Sequence, residues 1–179
     1  TGRSNFTEVV LTKYLEPKLR EYNSDLPDVA INNAIRELTE SRRAKHPVKA
    51  NNDVFDMIRD GIDVSFQGDH GEKVTENVTI IDWDNPDRNH FLLASERTIN
   101  APVVHRDKRP DLIGFVNGLP LVYVNLKRPS VPLKDAYDNN LRDYKDTIPQ
   151  LFWYNAVVIL SNGGETRVGS FSAGWDHFG

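Results

Sequence analysis

Asp111, Asn125 and Lys127 are the residues whose types and spacing could do chemistry. Asp111 closes the stretch Arg109-Pro110-Asp111 at the head of one predicted strand, and Lys127 stands two residues beyond Asn125 at the end of the next. Side chains alternate along a strand, so Asn125 and Lys127 share a face, while Val124 and Leu126 are expected to point into the core. An aspartate and a lysine converging at one end of a sheet, beside a third polar position, is the frame of a metal-dependent phosphodiesterase. Such hydrolysis needs an activated water in line with the leaving oxygen and a cation to absorb the developing charge. Mg²⁺ takes hard oxygen ligands and keeps several waters, so one or two carboxylates and a backbone carbonyl suffice. Asp111 is the natural metal bridge, and the Leu126 carbonyl is a further candidate ligand. Lys127 is suited to orient or help deprotonate the water and to offset phosphate charge. The third position normally holds a carboxylate, and here it is Asn125. For such a pair taken alone, the competing reading is a surface aspartate before a strand and a lysine lying along apolar surface.

Positioning these groups requires a sheet, and the hydrophobic pattern supplies one. Residues 5–20 carry Phe6, Val9, Val10, Leu11 and Tyr14 at helical spacing with Ser4 as N-cap, and Pro17 blurs the helix end. A second helix is expected from Asp28 to Thr39, and a third from Asp53 to Asp60, ending at Gly61. From Ile62 the period becomes two, and Gly68-Asp69-His70-Gly71 is a turn. Val78–Trp83 and Phe91–Ile99 read as strands, and Leu112–Val116 with Leu121–Lys127 as a hairpin around Asn117-Gly118. Only some loop lengths bring Asp111 to the face of Asn125 and Lys127, and Pro120 leaves that register open. Lys134–Ile148 is an amphipathic helix with Tyr137, Leu141, Tyr144 and Ile148 on one stripe, followed by strands at Asn155–Leu160 and Glu165–Ser170. This order gives the α/β class, a mixed central β-sheet flanked by helices.

The chain has 179 residues and no cysteine, which excludes thiol catalysis, zinc ribbons and a disulfide framework, and is compatible with a reducing cytosol. The longest apolar run, Ala156–Leu160, is far too short to span a bilayer, and no apolar segment of a signal peptide follows Thr1-Gly2-Arg3. The net charge of −4 argues against a histone-like DNA coat. It leaves a nuclease open, because Lys108, Arg109 and Arg128 flank the suspected site as candidate phosphate contacts. Solvated loop charge is an equal alternative for each cluster alone. The five histidines show no metal-ligand spacing, and no Walker A loop, dinucleotide turn or nucleophile elbow is present.

The run RPDLIGFVNGLPLVYVNLKRP resembles the nuclease segment of type I restriction enzyme R subunits, which share the D…ExK site of the PD-(D/E)xK nucleases. The likeness continues through Arg59-Asp60-Gly61-Ile62, Ile81–Pro86 and Asn89-His90-Phe91 before it, and through Asp146–Ala156 and Ser161–Gly164 after it. It covers roughly residues 52–178, and more weakly the first two helices. Carried over by position, Asp111 matches the motif aspartate and Lys127 the motif lysine, while Asn125 stands where the family has glutamate. The family's Gln-xxx-Tyr motif falls on Asn140 and Tyr144. Tyr144 matches, and Asn140 is one methylene shorter. Four apart on a helix, the two share a face; Tyr144 as a core residue with Asn140 solvated is the alternative.

The resemblance implies a single nuclease domain over residues 1–179, with N-terminal helices in 1–60 and a restriction-endonuclease-like core in 61–179. That domain would belong to a longer prokaryotic, cytoplasmic chain whose motor domains bind ATP. It further implies Mg²⁺, double-stranded DNA as substrate, and methyltransferase and specificity subunits as partners, with no membrane. Specificity would lie in the separate subunit, so this segment should bind DNA weakly, non-specifically and with strong salt dependence. The Asn125 departure has a cost. A lost ligand charge is worth about 1.4–3 kcal/mol, roughly ten- to a hundredfold in metal affinity. Three outcomes stay open: a weakened but active site, a substitute carboxylate from Glu8, Glu37 or Glu96, or a site inactive by natural loss or engineered change. An inactive site would leave a DNA-binding or subunit-docking module of the same fold.

Overall fold

The computed structural model describes residues 9–95 and 110–179. Ser4, Phe6, Glu8, Glu96, Lys108 and Arg109 lie outside the described residues, as does the end of the Phe91–Ile99 strand.

The period-two segments pair as two sheets. β1 (Ile62–Gln67) and β2 (Lys73–Val78) form an antiparallel ribbon. β3 (Phe91–Ser95), β4 (Leu112–Val116), β5 (Leu119–Leu126), β6 (Val157–Ser161) and β7 (Thr166–Gly169) form a five-stranded sheet in that order. Only the β5–β6 pair is parallel, because a helical crossover joins those two strands. The fold is therefore α/β with a mixed sheet, as the pattern of elements implies. Three helices, α1 (Thr12–Tyr22), α2 (Asp28–Thr39) and α3 (Pro47–Asp60), share one core with the ribbon. A second core lies between the sheet and the crossover, where Tyr137, Leu141, Tyr144 and Ile148 are all buried.

The second helix has the bounds the sequence predicts; other edges differ, each for a local reason. α1 begins at Thr12 rather than near residue 5, because the Leu11 N–H is committed to the Gly118 carbonyl at 2.8 Å. Val9, Val10 and Leu11 are nonetheless buried. α3 begins at Pro47, six residues before Asp53, since proline at a first helical position gives up no hydrogen bond. No strand runs from Val78 to Trp83: pairing stops at Val78, and side-chain amides take over the backbone groups. Asn23 accepts from Thr79 N–H at 2.8 Å and donates to the Thr79 carbonyl at 3.0 Å, and Asn89 accepts from Asp82 N–H at 3.1 Å. The crossover runs through α4 (Leu133–Asp135), a π-helical stretch (Ala136–Leu141) and α5 (Arg142–Thr147) without leaving helical dihedrals at either join. A short α6 (Pro149–Phe152) follows.

The β4–β5 hairpin sets the register. Asn117 and Gly118 have φ of 50° and 81°, the two positive values that a two-residue hairpin turn requires. Val116 pairs with Leu119 and Phe115 with Pro120, but Gly114 pairs with Val122, so Leu121 is an extra residue. Pro120, which cannot donate to a ladder, sits beside this bulge. The bulged carbonyl of Leu121 accepts from Ala156 N–H at 2.8 Å and from the Asn155 amide at 3.2 Å. Past the bulge, Leu112 pairs with Val124, and one further step sets Asp111 opposite Asn125.

The turn is also seated in the protein. A Cβ on Gly118 would meet the Leu11 carbonyl oxygen at 2.3 Å, and Asn117 is fully buried, donating to the Ile80 carbonyl and accepting from His90 N–H. Gly118→Ala combines a positive φ with this clash. We expect it to lower unfolding stability by about 2 kcal/mol or more, read as a reduced urea midpoint with unchanged slope.

Candidate active site

Alternation along β5 places Tyr123, Asn125 and Lys127 on the face covered by the crossover, and the hairpin register brings Asp111 to the same face. Asp111, Asn125 and Lys127 therefore meet at one end of the sheet. Asp111 Oδ2 accepts from the Leu126 backbone N–H at 2.7 Å, which fixes the carboxylate against β5. Lys127 Nζ donates to Asn140 Oδ1 at 2.7 Å, linking the strand end to the π-helical stretch. The wider π turn is where the crossover delivers Asn140, a placement common at functional sites.

Of the two residues expected to enter the core, Val124 is buried at 8% exposed, whereas Leu126 is 47% exposed and the expectation is corrected there. Asn125, between them, is buried on the other side at 2% exposed. The helices cover the Asn125 face, so that side of β5, polar in sequence, lies under the crossover. Tyr144 is buried, and its ring lies 5.8 Å from that of Tyr123 in the second core. It is thus a packing residue as well as a neighbour of the site. Arg128 is exposed just beyond Lys127. Glu37 is not brought to Asp111: it lines a groove between α2 and β1 with Asp63 and Ser65. Glu8 and Glu96, the other carboxylates considered as substitutes, fall outside the described residues, as do Lys108 and Arg109.

Tyr123 was not singled out by the sequence reading. It is 1% exposed, its phenol lies beside the Asn125 carboxamide, and Asn125 Oδ1 has no hydrogen-bond partner among the described residues. Burial, helped by the nearby Tyr144 and Asp111, holds the phenol pKa well above its ordinary value, so Tyr123 is an un-ionised O–H. The signal for it was present: two residues before Asn125, it had to share that face.

Asp111, the Asn125 carboxamide and the Leu126 carbonyl are hard oxygen donors of the kind a small divalent cation prefers, and Asn125 Oδ1 is a buried oxygen with its bonding capacity unused. The set carries one formal charge. Among the described residues no three His, Cys, Asp or Glu side chains converge as a ready metal cage. No helix among them is long and apolar enough to cross a membrane.

Residues 1–177 match the family described as the N terminus of type I restriction enzyme R proteins. The HindI type I restriction enzyme endonuclease subunit of Haemophilus influenzae is 34% identical over 180 aligned residues, 99% of this chain and 17% of its own length. A Methanocaldococcus jannaschii chain, provisionally named the MjaIXP endonuclease subunit, is 35% identical over 127 residues, 69% of this chain and 12% of its own. A Staphylococcus aureus type I restriction endonuclease subunit is 42% identical over 59 residues, 33% of this chain and 6% of its own. The chain spans under a fifth of the length of each of these relatives, and it belongs to the family of type I restriction enzyme R protein N-terminal segments.

Proposed function

We propose that this segment is the DNA-cutting module of a type I restriction R subunit, with a PD-(D/E)xK-type site formed by Asp111, Asn125 and Lys127. The observation that carries this reading is the convergence of Asp111 and Lys127 about Asn125 on the covered face of the sheet. Residues 1–179 would act as one nuclease domain of a longer prokaryotic, cytoplasmic chain. Its ATP-driven motor domains would move double-stranded DNA, and separate methyltransferase and specificity subunits would complete the complex.

Asp111, Asn125 and the Leu126 carbonyl would hold Mg²⁺, which when bound supplies Lewis-acid stabilisation of phosphate charge and a more acidic water. The rest of the task falls to this chain's own groups. Asp111, pinned through Oδ2 by the Leu126 N–H, presents its carboxylate at the strand end beside Asn125. Lys127 presents a cation that orients the attacking water and offsets negative charge on the phosphate. Asn140 accepts from that ammonium and so limits its rotamers. Arg128, exposed next to Lys127, adds a phosphate contact that carries no sequence preference.

A second reading is favoured by the missing carboxylate: a catalytically silent, DNA-binding or docking member of the same fold. The two are separated by Mg²⁺- or Mn²⁺-dependent nicking of plasmid DNA in the complete restriction complex. Under the catalytic reading the parent nicks and Lys127→Ala lowers the rate at least about 100-fold. If the parent is silent and Asn125→Glu cuts, the silent reading stands. If neither cuts while translocation persists, the site assignment fails. Independently, Asn125→Glu should tighten Mn²⁺ binding about ten- to a hundredfold by calorimetry, since it restores one ligand charge. An unchanged affinity would remove residue 125 from the ligand set.

A further inference from the structure

The face of the five-stranded sheet opposite the crossover is apolar, and it is exposed among the described residues at its β3 and β7 edges and at the end of β5. One continuous cross-strand row on it reads Leu112, Val124, Ile159 and Val168 from β4 to β7, and Leu93 with Phe91 extends the face onto β3. No charged residue of the five strands stands on this face. Phe91 and Leu93 are 62% and 64% exposed, Leu126 47% and Val168 44%, whereas Leu112 and Ile159 are half-buried and Val124, at the centre of the row, is buried; the exposed four pack into neither core cluster. An antiparallel sheet that meets water on one side alternates apolar with polar residues, and β3, β4 and β6 do not. A face of this composition is built to be covered.

Its size says by what. Five strands about 4.8 Å apart and about five residues long give a footprint of roughly 300 Å². A stable association between separate chains buries about 800 Å² on each partner. The face is too small to hold a second copy by itself, but it is wide enough for about two helices lying side by side. A tethered segment needs less area, because its local concentration is high. In the Haemophilus influenzae relative the matched part is only 17% of the chain, so most of that subunit lies elsewhere in the same polypeptide.

We infer that this apolar sheet face, exposed at Phe91, Leu93, Leu126 and Val168, is the seat of helices from the part of the same R subunit outside residues 1–179, which complete a helix–sheet–helix sandwich. The seat joins the site to the remainder of the subunit through β5, whose buried Val124 and exposed Leu126 lie on this face while Asn125 lies on the other. The inference does not depend on whether the site cuts DNA.

The test uses the full-length subunit without its partner subunits and with its other cysteines replaced. Leu93→Cys is compared with Glu76→Cys, an exposed position on β2. Two results are expected together. Alkylation at Leu93→Cys is at least tenfold slower than at Glu76→Cys, and a benzophenone maleimide at Leu93→Cys photocrosslinks to peptides of the same chain outside residues 1–179. Both should be unchanged on hundredfold dilution. Equal alkylation rates, crosslinks confined to residues 1–179, crosslinks to a second copy that vanish on dilution, or protection without any crosslink beyond residue 179 would each overturn it.

Discussion

The extra residue at Leu121 fixes the register of the β4–β5 hairpin, and the composition of the candidate site follows from that register. Val116 opposite Leu119, continued without interruption, would set Asp111 across from Val124 on the face opposite the crossover. The bulge shifts the pairing by one residue, and because side chains alternate with period two, that shift moves Asp111 to the face of Asn125 and Lys127. The bulge is held from outside the hairpin, since the backbone and side-chain N–H groups that meet the Leu121 carbonyl come from Ala156 and Asn155 on the approach to β6. Formation of the parallel β5–β6 pair and alignment of the site are therefore one event.

Buried asparagines perform a similar service elsewhere. Asn23, Asn89 and Asn117 lie between α1, the segment after β2 and the hairpin turn, and satisfy backbone groups that have no strand partner. Asn51 on α3 reaches the carbonyls of Phe152, Trp153 and Asn155. A typical hydrogen bond is worth about 1 kcal/mol net, but a buried group left unpaired costs about 1–3 kcal/mol. These amides thus act mainly by preventing penalties at the points where the regular ladders end, and they tie the helical layer to the sheet in a single arrangement.

At the site, burial and chemistry pull in different directions. Asn125 is a neutral side chain at a buried position beside an un-ionised phenol, and its Oδ1 has no hydrogen-bond partner among the described residues. A carboxylate there would carry a desolvation cost that only a cation could offset. The carboxamide removes that cost together with the charge, so the residue that makes this position easier to bury makes a divalent ion harder to hold. Lys127 keeps its reach because Asn140, on the π-helical stretch, accepts its proton-bearing nitrogen.

The sequence by itself determined the α/β class, the bounds of α2, the pairing of Leu112–Val116 with the strand after Asn117-Gly118, and the buried stripe of the crossover helix. These depend on local periodicity, on turn residues able to take positive φ, and on a single apolar face, all of which are properties of neighbouring residues. The tertiary structure decided which face of β5 meets the crossover. Val124 and Asn125 are both buried, on opposite sides of the strand, while Leu126 is exposed, so apolarity alone does not tell that the side of Asn125 and Lys127 lies under the crossover. It likewise decided that residues 79–83 are not a strand, because Asn23 arrives from α1, over 50 residues away, and Asn89 folds back from the turn that follows, to take their backbone groups. The register that aligns Asp111 with Asn125 belongs to the same class. It hangs on a one-residue bulge stabilised by contacts over 30 residues away in sequence, and such contacts leave no trace in local spacing.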